Sequence, residues 1–210
     1  PEGRMKKRNE AVVSTLSKMG WGSDEIRNVK DVYKGNMFFD ETRGEVHIGE
    51  VIEMVLDAFE MVMDQGPLAR EPCMKMKVTL DDIRLHEDAI HRGPAQVYPA
   101  VREAITEAMK SANATMLEPL QIHLVEVPEN FMGAATKLIG GKRGQLLDMT
   151  QEMGLAQIKA KIPVAEMIGW SSDLRSATEG RGTSSLMDQQ FEKIPALLQE
   201  DVIRKIRDRK

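Results

Sequence analysis

Two histidines, two carboxylates and two arginines crowd one short stretch of this chain, Arg84-Leu85-His86-Glu87-Asp88-Ala89-Ile90-His91-Arg92-Gly93-Pro94. Imidazole can ligate a metal, move a proton or be modified, and a neighbouring carboxylate can act as a general base. The spacing narrows these options. A zinc hydrolase of the H-E-x-x-H kind needs its histidines at i and i+4 on one helix face. His86 and His91 are five apart. That is roughly 140° around a helix of about 3.6 residues per turn, and Gly93-Pro94 makes the stretch a loop. Metal-dependent hydrolysis by His86, Glu87 and His91 is therefore the minor reading. Glu87 and Asp88 read as an acid/base pair or, more simply, as charges that solvate the loop or counter Arg84 and Arg92.

Two elements must hold this loop. Before it, Met74, Met76, Val78 and Leu80 alternate with Lys75, Lys77 and Thr79, the pattern of a half-buried strand over Met74–Leu80. After it, Val101, Ala104, Ile105, Ala108 and Met109 recur at helical spacing, predicting a helix from about Pro99 to Ala112. A loop on such a scaffold is free to reach a partner. Being polar and bounded by Gly93, it is expected to be exposed and mobile, with Gly93 permitting a sharp exit and Pro94 restraining it.

Further upstream, Arg4–Lys18 reads as a helix ending at Met19-Gly20, and Ser23 as the cap of a short helix over Asp24–Asn28. Val29–Tyr33 and Asn36–Asp40 read as strands around Gly35. Val51, Met54, Val55, Ala58, Phe59, Val62 and Met63 mark an amphipathic helix stopped by Gly66-Pro67.

A new pattern starts after Leu117-Glu118-Pro119. It reads strand 120–127, helix 130–139, strands 145–151 and 155–162, helix 165–178 and strand 184–191. That is βαββαβ, the ferredoxin-like order. A terminal helix over Ala196–Arg209 follows, with Leu197, Val202, Ile203 and Ile206 as its stripe. Such a sheet could be a free-standing RNA-binding module, but those modules stack bases on strand aromatics. Strands 145–151 and 155–162 contain no Phe, Tyr or Trp, and Phe131 and Trp170 fall in helices. Gly140-Gly141-Lys142-Arg143-Gly144 is not a phosphate loop: position 136 is Thr and position 143 is Arg where G-x-x-x-x-G-K-[ST] needs Gly and Ser/Thr. No nucleotide site, catalytic residue, metal or cofactor is expected in this chain.

At this point a family resemblance is visible. Leu85–Gln96, LHEDAIHRGPAQ, resembles the domain IV tip of archaeal and eukaryotic elongation factor 2, the translocation factor of the ribosome. Gly66-Pro-Leu-Ala-Arg70, Leu117-Glu-Pro119, Met132-Gly-Ala134, Arg143-Gly-Gln145, Pro163-Val-Ala-Glu-Met167 and the segment 174–181 are similar to family segments, in family order. Bacterial elongation factor G shares the later motifs but not the two-histidine tip. Eukaryotic members carry a Gly run where this chain has Gly93-Pro94-Ala95, which favours the archaeal branch.

The resemblance implies an α+β chain of two α/β-sandwich domains. Residues 1–117 would be domain IV, a βαβ-type, ribosomal-protein-like fold with its first strand missing and its tip loop at 84–94. Residues 118–210 would be a ferredoxin-like domain V with a C-terminal helix. It implies that His91 is the histidine converted to diphthamide, and that Arg84, His86, Asp88, Arg92 and Gly93 share the tip that enters the decoding site. The expected partners are the ribosome, through ribosomal RNA and the tRNA–mRNA duplex, and the diphthamide-forming enzymes. GTP and Mg would belong to the full-length GTPase, and the chain itself would be a non-enzymatic C-terminal fragment.

Composition agrees with this picture without requiring it. The net charge is −4 and aromatics are 4%, against 15 Met, so Met, Leu, Ile and Val must fill the cores. The basic segments are Lys142-Arg143 and Arg204–Lys210, which read either as RNA contacts or as a turn and a helix end. One cysteine, Cys73, allows no internal disulfide and reads as a small hydrophobe. No apolar run approaches membrane-spanning length. A cytoplasmic monomer is expected.

Overall fold

The computed structural model describes residues 2–5, 9–43 and 48–209. Contacts divide the chain into two units, Pro1–Ala114 with Asp201–Lys210, and Thr115–Glu200. Each is a mixed α/β unit built on one four-stranded sheet.

In the first unit the order is β1 (Gly3–Arg4), α1 (Glu10–Lys18), α2 (Ser23–Asn28), β2 (Val29–Tyr33), β3 (Asn36–Asp40), α3 (Ile48–Asp64), β4 (Lys77–Leu80) and α4 (Pro94–Ser111). The sheet runs β1-β2-β3-β4, antiparallel except for the parallel β3/β4 pair that α3 connects. Adjacent side chains of a strand face opposite ways, and Phe38 and Phe39 show the result. Phe38 joins the core under α3 and α4 with Val55, Phe59 and Met63. Phe39 joins a core with Val12, Leu16, Ile26 and Val29 from α1, α2 and β2. Helices therefore cover both faces of this sheet. Burying one such aromatic or aliphatic side chain contributes roughly 2 kcal/mol.

Three expectations for this unit are corrected. The first helix starts at Glu10, not Arg4, because the Asn9 side chain accepts from the Ala11 and Val12 amides and caps it there; Lys6–Arg8, which the expectation included, lie outside the described residues. Arg4 instead sits in a two-residue strand paired with β2. Its guanidinium bonds Glu53 and Glu60 at 2.8 Å and also Asp57, all on α3. β4 begins at Lys77, not Met74, because Lys75 has φ +57° and the buried Asn36 side chain takes the neighbouring backbone: it donates to Cys73 O at 3.0 Å and accepts from Met76 N at 3.0 Å. α4 begins at Pro94, five residues early, because Pro at N1 loses no helical bond and has its φ preset. Pro99 lies inside this helix, and the buried stripe is Val97, Ile105 and Met109 with Val101 half-buried; Ala104 and Ala108 are exposed.

The second unit has the expected βαββαβ order: β5 (Leu117–Pro128), α5 (Met132–Gly141), β6 (Gln145–Glu152), β7 (Leu155–Pro163), α6 (Trp170–Ala177) and β8 (Thr183–Lys193). The sheet order is β6-β7-β5-β8, antiparallel throughout. β7 alternates cleanly: Ala156, Ile158, Ala160 and Ile162 are fully buried against the helices, while Leu155, Gln157 and Lys159 face out. Gly144 must be glycine, since a Cβ there would stand 2.6 Å from Ile139 Cγ2 and 2.7 Å from its carbonyl oxygen. A hydrogen-bond chain spans β5, β8 and α6: Trp170 Nε1 meets Ser184 Oγ at 2.9 Å, Ser184 Oγ meets His123 Nδ1 at 2.9 Å, and His123 Nε2 meets Gln121 Oε1 at 3.0 Å. The terminal helix, α7 (Ala196–Arg207), differs from expectation in its stripe: Leu197 is 95% exposed, and Leu198, Val202, Ile203 and Ile206 are the half-buried positions.

Candidate functional site

The stretch between β4 and α4 keeps the strand's alternation for a few residues more. Ile83 and Leu85 pack against the α3/α4 core, which turns Arg84 and His86 outward. The chain then reverses. His86 Nδ1 accepts from the Asp88 amide at 3.0 Å, so in the neutral ring the proton sits on Nε2. Asp88 Oδ1 accepts from the Ile90 amide at 3.0 Å and caps a 3₁₀ turn over Ala89–His91. His91 N to Asp88 O at 3.1 Å and Arg92 N to Ala89 O at 3.0 Å close that turn. The rings of His86 and His91 meet edge to face, centroids 4.5 Å apart.

Arg92 holds this arrangement from beneath. Its Nε donates to His86 O at 2.7 Å, one terminal nitrogen donates to Glu87 O at 2.5 Å, and the other to Glu50 Oε2 at 2.6 Å. The arginine is buried, whereas Glu87, Asp88, Ala89, Ile90 and His91 are all exposed.

Arg84, His86, Asp88 and His91 thus all lie exposed on the one stretch between β4 and α4. Two readings change. Arg92 belongs to the turn but faces inward, and its acid partner is Glu50 rather than Glu87 or Asp88. Gly93 is the N-cap of α4 with φ −81°, an ordinary value, so its exit needs no glycine freedom. The turn is exposed, as expected, and is tied by its own amides and by Arg92. Two residues went unnoticed: Glu50, 42 positions from its partner, and Ile90, 75% exposed at the apex. An isoleucine in an otherwise polar loop was a readable signal. Glu50 gave none, since nothing in a single sequence marks so distant a pair.

In the other basic segments, Lys142, Arg143, Arg204 and Arg207 are each engaged, Arg207 through the Leu68 carbonyl at 2.8 Å. Lys142 bonds Asp173 at 2.8 Å and the Ile168 carbonyl at 3.0 Å. Arg143 bonds Glu118 at 2.9 and 3.0 Å and Glu166 at 2.9 Å, and these carboxylates raise its pKa. Arg204 pairs with Asp201. Burial pushes the half-buried Cys73 thiol up, and Sγ contacts the Val62 carbonyl at 3.6 Å. Among the described residues no three His, Cys, Asp or Glu side chains converge as a metal-ligating group, and no helix is long and apolar enough to cross a membrane.

Two family models match the chain in sequence: elongation factor G, domain IV, over residues 3–113, and elongation factor G C-terminus over residues 115–202. The chain is 53% identical over its whole length to elongation factor 2 of Nanoarchaeum equitans, of which it spans 28%. It is 47% identical over 98% of its length to elongation factor 2 of Methanocaldococcus jannaschii, and 46% identical over its whole length to that of Pyrococcus furiosus, spanning 28% and 29% of them. With more than half of its residues matched by one family model, and domain IV and the C-terminal domain matched in order, the chain belongs to the elongation factor G and elongation factor 2 family.

Proposed function

We propose that this chain is the ribosome-binding part of a GTP-dependent translation elongation factor, and that its β4–α4 turn enters the decoding site as tRNA and mRNA translocate. Residues 1–117 serve as domain IV and residues 118–210 as domain V, in the cytoplasm and as a monomer. GTP and Mg act in the remainder of the protein. The work of this part is mechanical and electrostatic: sheets and helices carry a short polar turn into RNA.

One observation carries the reading: His91 stands exposed on a turn that His86 Nδ1, Asp88 Oδ1 and the Arg92 guanidinium hold together by hydrogen bonds. An exposed imidazole on a fixed turn can be offered to modifying enzymes. The segment 81–92 holds Asp81, Asp82, Glu87 and Asp88 against Arg84 and Arg92, and Arg92 is neutralised by Glu50. Such a turn repels phosphate, so a fixed cation added to His91, as in diphthamide, reverses the local charge where RNA must be met. The test is ribosome affinity of the intact factor with and without the modification, measured over a range of salt. The modified form should bind more tightly and with a steeper salt dependence; identical salt slopes would sink the electrostatic role.

A further inference from the structure

We infer that Arg92 and Glu50 form a clamp that positions the His86–His91 turn, with Arg92 acting through the turn rather than on RNA. The inference deepens the proposed role of His91 and rests on it. Arg92 is the charged residue of the turn that faces the scaffold, with its side chain 7% exposed. A guanidinium is a rigid planar fork, and here its three nitrogens take three separate acceptors: the carbonyls of His86 and Glu87, and the carboxylate of Glu50. Two successive carbonyls pointing at one group define where the chain reverses. Glu50, in the first turn of α3, fastens that reversal to a helix buried along its length by Val51, Val55, Phe59 and Val62. It also neutralises a cation that would otherwise be buried between two carbonyls.

The chain of position runs outward from there. Arg92 fixes the His86 carbonyl, the His86 ring takes the Asp88 amide, Asp88 caps the 3₁₀ turn, and the His91 ring rests edge-on against His86. A turn ordered beforehand lowers the ordering cost when enzyme or RNA binds it. A lysine at position 92 keeps the charge but cannot serve three acceptors in one plane. Glu50, on another element and with a half-exposed side chain, can be changed without emptying any core.

The test compares amide exchange in the 210-residue wild-type chain with E50A, E50Q and R92K. In E50A and R92K, exchange at Asp88, Ile90 and His91 should quicken by about tenfold while exchange at Lys77–Leu80 holds. E50Q, which keeps an oxygen acceptor, should fall between E50A and wild type. In the intact factor, E50A should slow modification of His91 and weaken ribosome binding without changing its salt slope; a phosphate-contacting Arg92 would instead lower the slope by about one in R92A and leave E50A normal. Wild-type exchange of the turn in a folded E50A chain overturns the clamp. A loosened turn in E50A, with no modification of His91 even in the wild-type factor, keeps the clamp and overturns the reading of His91.

Discussion

Asp31 and His123 are two buried groups whose charge the fold controls, in opposite senses. Asp31 on β2 is 1% exposed, and neither side-chain oxygen has a hydrogen-bond partner among the described residues. Burial, then the negative charge of Glu60, push its carboxyl up to about 6 from an ordinary 3.8, and Arg4 only partly offsets this. Below 3.8 both folded and unfolded chains hold the proton. Between about 3.8 and 6 only the folded chain does, so the stability this group contributes is lost as pH rises through that window. Asp31→Asn should therefore stabilise the chain by about 1–2 kcal/mol at pH 7 and by little at pH 4. Urea unfolding at the two pH values checks this, and an equal loss of stability at both would refute it. His123 runs the other way: desolvation lowers its pKa below 6.5, so its contribution is present above that value and is lost as pH falls. Its ring resonances should titrate below pH 6.5 by NMR, and titration above that value would contradict the buried, neutral ring. Gly93→Ala tests a plainer point. With φ −81° and a new Cβ 3.5 Å from Gln96 Oε1, the alanine fits, and only the N-cap preference is lost, about 1 kcal/mol.

At the scale of elements, apolar periodicity located almost every helix and strand, because the pattern and the burial have the same cause. α3 and β7 are the clearest cases: the alternation or the 3.6-residue repeat in the sequence is the buried face of the fold. Ends were harder, because ends are decided by single polar groups. Asn9 starts α1, Asn36 delays β4 and Pro94 starts α4, each through one local bond or one fixed torsion. The site divided the same way. Its exposed members, Arg84, His86, Asp88 and His91, were legible as a local cluster, whereas the inward turn of Arg92 depends on Glu50, 42 residues off. Gly144 supplies a prediction at this scale. Gly144→Ala forces a methyl against Ile139 where α5 meets β6, and should cost about 1–3 kcal/mol by urea unfolding. A neutral effect would show that the α5–β6 connection is looser than the contacts imply.

At the scale of the molecule, two α/β units each bury one or more cores of their own, and the first carries the histidine turn at one end of its sheet. The chain spans only 28–29% of the relatives it matches. Its Gly-Gly-Lys-Arg-Gly turn has its two cations in ion pairs with Asp173, Glu118 and Glu166. Calorimetric titration of the chain with GTP and magnesium should accordingly show no saturable binding, and a micromolar dissociation constant with phosphate release would overturn this expectation. The proposed role of His91 is put to the test by peptide mass mapping of the intact factor after exposure to the diphthamide-forming enzymes. The added mass should fall on His91 and be absent from the His91→Gln protein, whereas the mass on His86, or its persistence in His91→Gln, would rule that role out.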